Sequence, residues 1–185
     1  MIKKEDWFTI PNILSYVRIA LIPIYISMYI NAEVVTDYYW AAGILFLSGV
    51  TDSLDGIIAR KTNQITDLGK VLDPLADKLT QVSVIAAMFV QRPYILPLLI
   101  LFISKELFLL VNNLILYKKD VIMDGSMWFG KVATAIFYVC MFWLIIFPYL
   151  EQQQSMPLIF ITTGFQIVAL LGYTNWFFKM FKELK

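Results

Sequence analysis

The sequence lacks histidine altogether and has one cysteine, Cys140, among its 185 residues. A disulfide framework is therefore excluded, and a zinc site is disfavoured because zinc is held mainly by Cys and His. Catalysis by histidine, alone or paired with cysteine, is excluded for the same reason. Glycine and proline are also sparse, with 8 and 7 residues. The chemistry that remains is that of carboxylates and metal ions.

Apolar residues are abundant instead. They make up 59% of the chain, and the mean hydropathy is +0.70, whereas soluble domains have roughly 45–50% apolar residues. A membrane helix needs about 20 apolar residues, and stretches of this kind occur at 10–33, 38–60, 70–91, 94–117, 128–149 and 156–180. We predict an all-α polytopic membrane protein with six transmembrane helices, forming one domain over residues 1–185.

Basic residues at the ends of the apolar stretches and between them are distributed unevenly. The termini and the second and fourth connections hold Lys3, Lys4, Arg60, Lys61, Lys70, Lys118, Lys119, Lys179, Lys182 and Lys185. The other three connections hold only Arg92. The positive-inside rule then places both termini in the cytoplasm, at the cell membrane.

The N-terminal segment, residues 1–9, combines Trp7 and Phe8 with Lys3, Lys4, Glu5 and Asp6. This mixture predicts a short amphipathic segment at the membrane surface, and a frayed polar terminus is the alternative. The segment does not resemble a cleavable signal, so the first helix is expected to remain in the mature protein. Pro11 suits the first turn of that helix, where its missing N–H would have no partner anyway.

Four aspartates interrupt the second and third apolar stretches: Asp52, Asp55, Asp73 and Asp77. A carboxylate inside a membrane segment costs several kcal/mol unless it is compensated, so such residues indicate a functional site. Residues three or four apart share one face of a helix. Asp52 and Asp55 therefore form one stripe and Asp73 and Asp77 another, and small residues beside them allow close helix approach.

Four carboxylates at short range require protons or cations to neutralise them. Hard oxygen ligands suit Mg²⁺ or Mn²⁺, which often complete their coordination with substrate phosphates. We therefore predict two such ions and a diphosphate substrate at a cytoplasmic site, with Arg60 able to bind a phosphate oxygen. The alternatives are structural pairing of the aspartates with Arg60, Lys70 or Lys78, and an ion pathway.

The string from Asp52 to Asp77 resembles the signature of the CDP-alcohol phosphotransferases, Asp-x2-Asp-Gly-x2-Ala-Arg-x8-Gly-x3-Asp-x3-Asp, at every fixed position over 26 residues. The resemblance implies a transferase of phospholipid biosynthesis that attacks CDP-diacylglycerol with an alcohol and releases CMP. It implies metal ligands at Asp52, Asp55, Asp73 and Asp77, with Asp77 as the general base. Contacts to the CDP-lipid are implied at Asn12, Gly56, Ala59, Arg60, Thr66 and Gly69.

The acceptor is less well specified by the sequence. Within the family the chain looks most like bacterial phosphatidylglycerophosphate synthases and the related cardiolipin synthases, which implies acceptor contacts at Lys105, Glu106 and Lys131, to which Arg18 is added. Glycerophosphate-using relatives usually have an Arg-Glu pair and a further arginine, where this chain has Lys105-Glu106 and then Asn112-Asn113. We place glycerol 3-phosphate slightly ahead of phosphatidylglycerol as the predicted acceptor, and a structural Lys-Glu pair is the alternative role of Lys105.

Two other classes of protein remain open. A divalent-cation carrier would also use acids within the membrane, but it would need them along a route to the far side. A scaffold that has lost activity is disfavoured by the intact signature. The predicted partners are CDP-diacylglycerol, the alcohol acceptor and membrane lipid, with no nucleic acid, and the family resemblance implies a homodimer.

Overall fold

The computed structural model describes residues 7–61, 66, 68–119 and 127–183, without the side chains of residues 52–61 and Lys70. This part of the chain is helical and contains no strand, which confirms the predicted all-α class there. The helices are α1 (Ile10–Ile30), α2 (Val35–Lys61), α3 (Gly69–Gln91), α4 (Leu96–Tyr117), α5 (Trp128–Ile146) and α6 (Gln152–Glu183), with a short 3-10 helix, Pro93–Ile95, before α4.

Each helix coincides with one of the apolar stretches, but only part of the six-span prediction is supported. Among the described residues, α1, α4 with its preceding turn, α5 and α6 are long and apolar enough to cross a membrane. The helix α3 does not meet that criterion, because Asp73, Asp77 and Lys78 lower its hydropathy. The described side chains of α2 end at residue 51, which leaves too short a segment for the same comparison.

Residues 1–93 and 94–185 form two compact units. In the first unit, α1 packs against both α2 and α3. In the second, α6 packs against both α4 and α5. The prediction that the whole chain is one domain stays a prediction, and the two units are described separately below.

The first unit is tied together at one end by Gln91. Its Nε2 donates to the carbonyl of Tyr29 at 3.0 Å, and its Oε1 accepts from the hydroxyl of Tyr38 at the same distance. At the start of α2 the carboxylate of Asp37 accepts from the backbone N–H groups of Glu33 and Val34, as in half of a capping box. These contacts fix the ends of α1, α2 and α3 away from the residues of the aspartate signature.

The second unit has an aromatic and aliphatic core around Phe102, Phe137, Met141 and Leu144, all fully buried. The helices α5 and α6 approach closely at Gly172 of α6. A Cβ added to this glycine would lie 2.9 Å from the ring of Phe129 on α5. The outer faces are apolar too. On α4 the exposed side chains include Leu107, Leu110, Val111 and Leu114, and soluble proteins rarely expose contiguous apolar patches of this kind. The second unit is therefore built for a lipid environment.

Candidate active site

A polar stripe runs along the first half of α1. Asn12, Ser15 and Arg18 are buried, with 0%, 0% and 1% of their surface exposed. Their spacing by three places them on one face of the helix, and α1 packs against α2 and α3. Polar side chains in an otherwise apolar helix thus lie inside the first unit, among the elements that carry the aspartates.

Asn12 and Thr66 form a small polar cluster with Gly69. The amide Nδ2 of Asn12 donates to Thr66 Oγ1 at 3.1 Å, and the backbone N–H of Gly69 donates to the same hydroxyl oxygen at 2.9 Å. A Cβ on Gly69 would lie 2.7 Å from Asn12 Oδ1, so any larger residue there requires the Asn12 side chain to move. Glycine thus allows the close approach of Asn12 on α1 to the start of α3, and the structure brings together three of the predicted CDP-lipid contacts.

Asp73 lies one turn further along α3 and contacts α1. The hydroxyl of Ser15 donates to Asp73 Oδ1, so one carboxylate oxygen is held in place by the neighbouring helix. Ser15 was not among the residues predicted from the sequence. Its position midway between Asn12 and Arg18, in a stripe of polar residues, is the signal that marks it.

Asp77 follows Asp73 by one turn of α3 and has a partner on its own helix. The amide Nε2 of Gln81 donates to Asp77 Oδ2 at 2.7 Å, and Gln81 itself is fully buried. Lys78 Nζ lies 3.6 Å from the same oxygen, with a third of the lysine side chain exposed. Such a long and partly exposed pair contributes little to stability, so structural pairing with Lys78 does not account for the aspartate.

The other half of the predicted site lies outside the described side chains. Asp52, Asp55, Gly56, Ala59 and Arg60 belong to α2 by their backbone, and nothing further is described of them. Among the described residues no group of three or more Asp, Glu, His or Cys is arranged to hold a metal ion. Asp73 and Asp77 nevertheless offer hard carboxylate oxygens one turn apart, which suits Mg²⁺ or Mn²⁺ in ligand type.

Arg18 lies deeper in the first unit than the aspartates of α3. It lines a small, mostly apolar pocket with four aliphatic side chains of α1 and α2 and with the hydroxyl-bearing Tyr25, Ser48, Thr80 and Ser83. A guanidinium within a membrane helix is expected to face the interior of the protein rather than lipid. Its predicted role as an acceptor contact stays a prediction.

The second unit contains a compact charged cluster, formed by Lys105, Glu106 and Gln166, besides the hydroxyl pair of Tyr94 and Ser155 at 2.8 Å. Lys105 is 4% exposed and its Nζ lies 2.8 Å from Glu106 Oε1. The same ammonium donates to Gln166 Oε1 at 2.6 Å and lies 4.8 Å from the centre of the Phe102 ring. Two predicted acceptor residues are therefore in contact, and the partner that joins them from α6 was not predicted.

Lys131, the third predicted acceptor residue of this unit, is exposed near the start of α5. Among the described residues it takes no part in the ion pair of Lys105 with Glu106. Asn112 stands where glycerophosphate-using relatives are expected to have an arginine, and its Nδ2 donates to the carbonyl of Phe108 at 2.7 Å. That amide is thus engaged by its own helix.

The profile of the CDP-alcohol phosphatidyltransferase family matches residues 8–178, nearly the whole chain. The chain belongs to the CDP-alcohol phosphatidyltransferase family. Membership confirms the family that the signature predicted. The family signature runs through α2 and α3, and Asp73 and Asp77 are its last two fixed residues.

Relatives in the family carry two kinds of name. A cardiolipin synthase (CMP-forming) of Streptomyces coelicolor is 38% identical over 135 residues, covering 72% of this chain and 63% of that protein. The human cardiolipin synthase (CMP-forming) is 40% identical over 111 residues, covering 57% of this chain and 34% of its own length. A CDP-diacylglycerol–glycerol-3-phosphate 3-phosphatidyltransferase of Aquifex aeolicus is 33% identical over 127 residues, covering 68% of each chain. This family member therefore spans less than two thirds of either cardiolipin synthase.

Gln81 and Ser15, which contact aspartates of the family signature, were not predicted from the sequence, for different reasons. Gln81 follows Asp77 by four positions, so helical spacing alone would have placed them together. Ser15 is 58 positions from Asp73, and only the packing of α1 against α3 joins them. The first omission was avoidable from the sequence, whereas the second required the fold.

Proposed function

We propose that this chain is a membrane-embedded phosphatidyltransferase that moves the phosphatidyl group of CDP-diacylglycerol onto a hydroxyl of phosphatidylglycerol, forming cardiolipin and releasing CMP. The observation that carries the donor half is the contact of α1 with α3. There, Asn12 meets Thr66 and Gly69, and Ser15 meets Asp73. Three positions expected to surround the cytidine diphosphate are thus held beside a signature carboxylate.

The proposed reaction is a single displacement at phosphorus. An acceptor hydroxyl oxygen forms a bond to the phosphorus that carries the diacylglycerol, and the bond from that phosphorus to the oxygen shared with CMP breaks. CMP leaves with that oxygen, and Asp77 takes the hydroxyl proton. A positioned carboxylate acting as a general base contributes typically 10²–10⁴-fold to the rate. Gln81, donating to Asp77 Oδ2, fixes the orientation of this base.

Divalent cations are part of the proposal, with Asp52, Asp55, Asp73 and Asp77 as the residues that hold them. Two ions, Mg²⁺ or Mn²⁺, would neutralise the diphosphate and the oxygen that leaves with CMP. The hydroxyl of Ser15 constrains the carboxylate of Asp73, so that its orientation does not have to be set at each binding event. Arg60, Gly56 and Ala59 are proposed to contact the CDP-lipid, as the family signature implies.

The acceptor preference follows from the charges around Lys105. Its ammonium is compensated by Glu106 at 2.8 Å and occupied by Gln166 at 2.6 Å. A phosphate monoester carries nearly two negative charges and is best held by an arginine fork. This chain has Asn112 where that arginine is expected, and the Asn112 amide donates to its own helix. This nearly neutral cluster favours a hydroxyl-bearing headgroup such as that of phosphatidylglycerol. The order of acceptors given from the sequence is therefore reversed here.

Glycerol 3-phosphate is the second candidate acceptor. The Aquifex aeolicus relative that carries this activity in its name covers 68% of both chains, a larger share of the relative than in either cardiolipin synthase. Lys131 and Arg18 would then supply positive charge for the phosphate. Exposure of Lys131 leaves its ammonium available to such a soluble substrate.

The proposal also includes a topology. All six helices are proposed to cross the cell membrane, with both termini and the active site on the cytoplasmic side and residues 1–9 lying at the surface. The positive-inside distribution supports this orientation. Bound metal and substrate phosphates would compensate the acids of α2 and α3, which otherwise disfavour insertion. A single domain and a homodimer are proposed on the family resemblance.

Product analysis tests the proposed function. The purified protein is incubated with CDP-diacylglycerol and Mg²⁺, with phosphatidylglycerol or glycerol 3-phosphate as the acceptor, and CMP and lipid products are quantified by mass spectrometry. We expect cardiolipin and CMP in equal amounts with phosphatidylglycerol. Phosphatidylglycerophosphate without cardiolipin would overturn the acceptor, and cation uptake into liposomes that lack CDP-lipid, without CMP release, would favour a carrier.

A further inference from the structure

Gln166 is a buried polar residue of α6 whose amide is only half engaged. It is 0% exposed, and its Oε1 accepts a hydrogen bond from Lys105 Nζ at 2.6 Å. Its Nε2 is buried as well and has no hydrogen-bond partner in the described part of the chain. The side chain therefore has one satisfied atom and one unsatisfied atom.

The orientation of this amide follows from chemistry. A lysine ammonium only donates hydrogen bonds, so the oxygen of Gln166 must face Lys105 and the NH₂ group must face away from it. A buried donor without a partner costs roughly 1–3 kcal/mol, and the hydrocarbon interior of a membrane offers no water to relieve that cost. The Nε2 group is thus a donor for which a ligand oxygen would be the missing partner.

The charge of the cluster indicates which oxygen suits this donor. Glu106 compensates Lys105 at 2.8 Å, and the amide of Gln166 is itself neutral. An uncharged hydroxyl oxygen accepts one hydrogen bond from such an amide without requiring a second cation. Both candidate acceptors, phosphatidylglycerol and glycerol 3-phosphate, contain glycerol hydroxyls, so this chemistry is common to them.

We propose that Gln166 is a specificity-determining residue whose Nε2 donates a hydrogen bond to a glycerol hydroxyl oxygen of the acceptor, while its Oε1 holds Lys105. This inference rests on the proposed function, since it concerns the acceptor of the same reaction. It adds a residue of α6 to the acceptor contacts of α4, within the second unit. The donor substrate, CDP-diacylglycerol, is not bound by Gln166.

Two substitutions separate the functions of the two amide atoms. Gln166→Glu keeps an oxygen for Lys105 and removes the N–H donor, whereas Gln166→Met removes both at similar volume. Thr162→Val is the matched control, because Thr162 is equally buried one turn earlier on α6 and its hydroxyl donates to its own helix, at Leu158 O, 2.8 Å away. It removes a buried polar group that has no link to Lys105.

The first measurement is KM for each substrate at saturating concentration of the other, with kcat from the same curves. Loss of one neutral hydrogen bond corresponds to about a 3- to 10-fold change. We therefore expect KM for phosphatidylglycerol to rise about 3- to 10-fold in Gln166→Met and at least as much in Gln166→Glu. KM for CDP-diacylglycerol should stay within about 2-fold of the wild type, and Thr162→Val should match the wild type for both substrates.

An unchanged acceptor KM in Gln166→Glu together with a raised one in Gln166→Met would overturn the inference, because Gln166 would then act only by holding Lys105. A parallel rise in both KM values would overturn it too, since it would indicate general disruption. The proposed function fails separately, if the wild type makes no cardiolipin. Should the wild type use glycerol 3-phosphate instead, the same comparison of variants on that acceptor decides the role of Gln166.

A second readout does not depend on turnover. Binding of phosphatidylglycerol to the detergent-solubilised protein, without CDP-diacylglycerol, is measured by native mass spectrometry. We expect weaker binding of phosphatidylglycerol to both Gln166 variants than to Thr162→Val, and the same binding of phosphatidylethanolamine, which lacks the glycerol headgroup, to all three. Equal binding of phosphatidylglycerol to all three proteins would contradict the proposed contact.

Discussion

The two units differ in where they place their polar groups. In α1–α3, polar side chains follow one another along two helices, buried from Asn12 to Arg18 and at first only partly buried from Asp73 to Gln81. In α4–α6, a charged cluster around Lys105 lies in a mostly apolar interior. The first arrangement suits the charged diphosphate and metal ions of the proposed reaction, and the second suits one hydroxyl-bearing headgroup. The two halves of the proposed reaction therefore make different demands on the chain.

The two units also differ in how apolar their helices are. All three helices of the second unit qualify as candidate membrane spans, as does α1 of the first unit, whereas α3 does not. Asp73, Asp77 and Lys78 make α3 less apolar, so the proposed donor site lowers the hydropathy of its own helix. The proposed acceptor cluster avoids that conflict, because Lys105 and Glu106 compensate each other.

The largest expected effect in the first unit comes from Asp77→Asn. Losing the general base should lower kcat by about 10²–10⁴-fold, while the amide still accepts a hydrogen bond from Gln81 and the protein folds. CMP release measures the effect. The control is Asp37→Asn, the same change at the start of α2, which should retain activity. Full activity in Asp77→Asn would contradict the proposed base.

In the second unit, Lys105→Met removes the ammonium that lies 2.8 Å from Glu106. Breaking a buried ion pair by removing one partner costs about 3–5 kcal/mol, so thermal unfolding should occur at lower temperature. The buried thiol of Cys140 allows this to be followed with a thiol-reactive fluorophore. The acceptor KM should rise about 10-fold as well.

The double variant Lys105→Met with Glu106→Leu separates pairing from binding. Replacing both charges by apolar groups should restore most of the thermal stability, because a buried pair is often no more stable than a well-packed apolar one. Acceptor KM should stay high. If KM returned to the wild-type value together with stability, the pair would be structural only, which is the alternative that the sequence left open.

A smaller effect is expected from Gly69→Ala. The added methyl group would lie 2.7 Å from Asn12 Oδ1, so Asn12 must move and its hydrogen bond to Thr66 must weaken. We expect KM for CDP-diacylglycerol to rise about 3- to 10-fold, as for the loss of one hydrogen bond, with little change in acceptor KM. Gly43→Ala is the control, because nothing lies within 4 Å of its added methyl group. Equal KM values for CDP-diacylglycerol in the two variants would contradict the proposed role of Asn12 in the donor site.

The sequence was most informative about features that depend on residues close together along the chain. Apolar stretches placed the six helices within a few residues of their observed ends, because the bilayer length and the helical rise are fixed quantities. The signature in α2 and α3 indicated the family because this chain matches it at every fixed position over 26 consecutive residues. Among the described residues, the six-span prediction is supported for four helices. The helix α3 falls short because its acids lower its hydropathy, and hydropathy does not register the metal and phosphate that are proposed to compensate them.

By itself, the sequence determined the helical class, the family and the aspartates of the proposed donor site, since each depends on residues close together along the chain. Only the tertiary structure decided which side chains meet across helices. Ser15 contacts Asp73 across 58 positions, and Gln166 contacts Lys105 across 61. No periodicity relates residues so far apart, because their proximity arises from the packing of one helix on another.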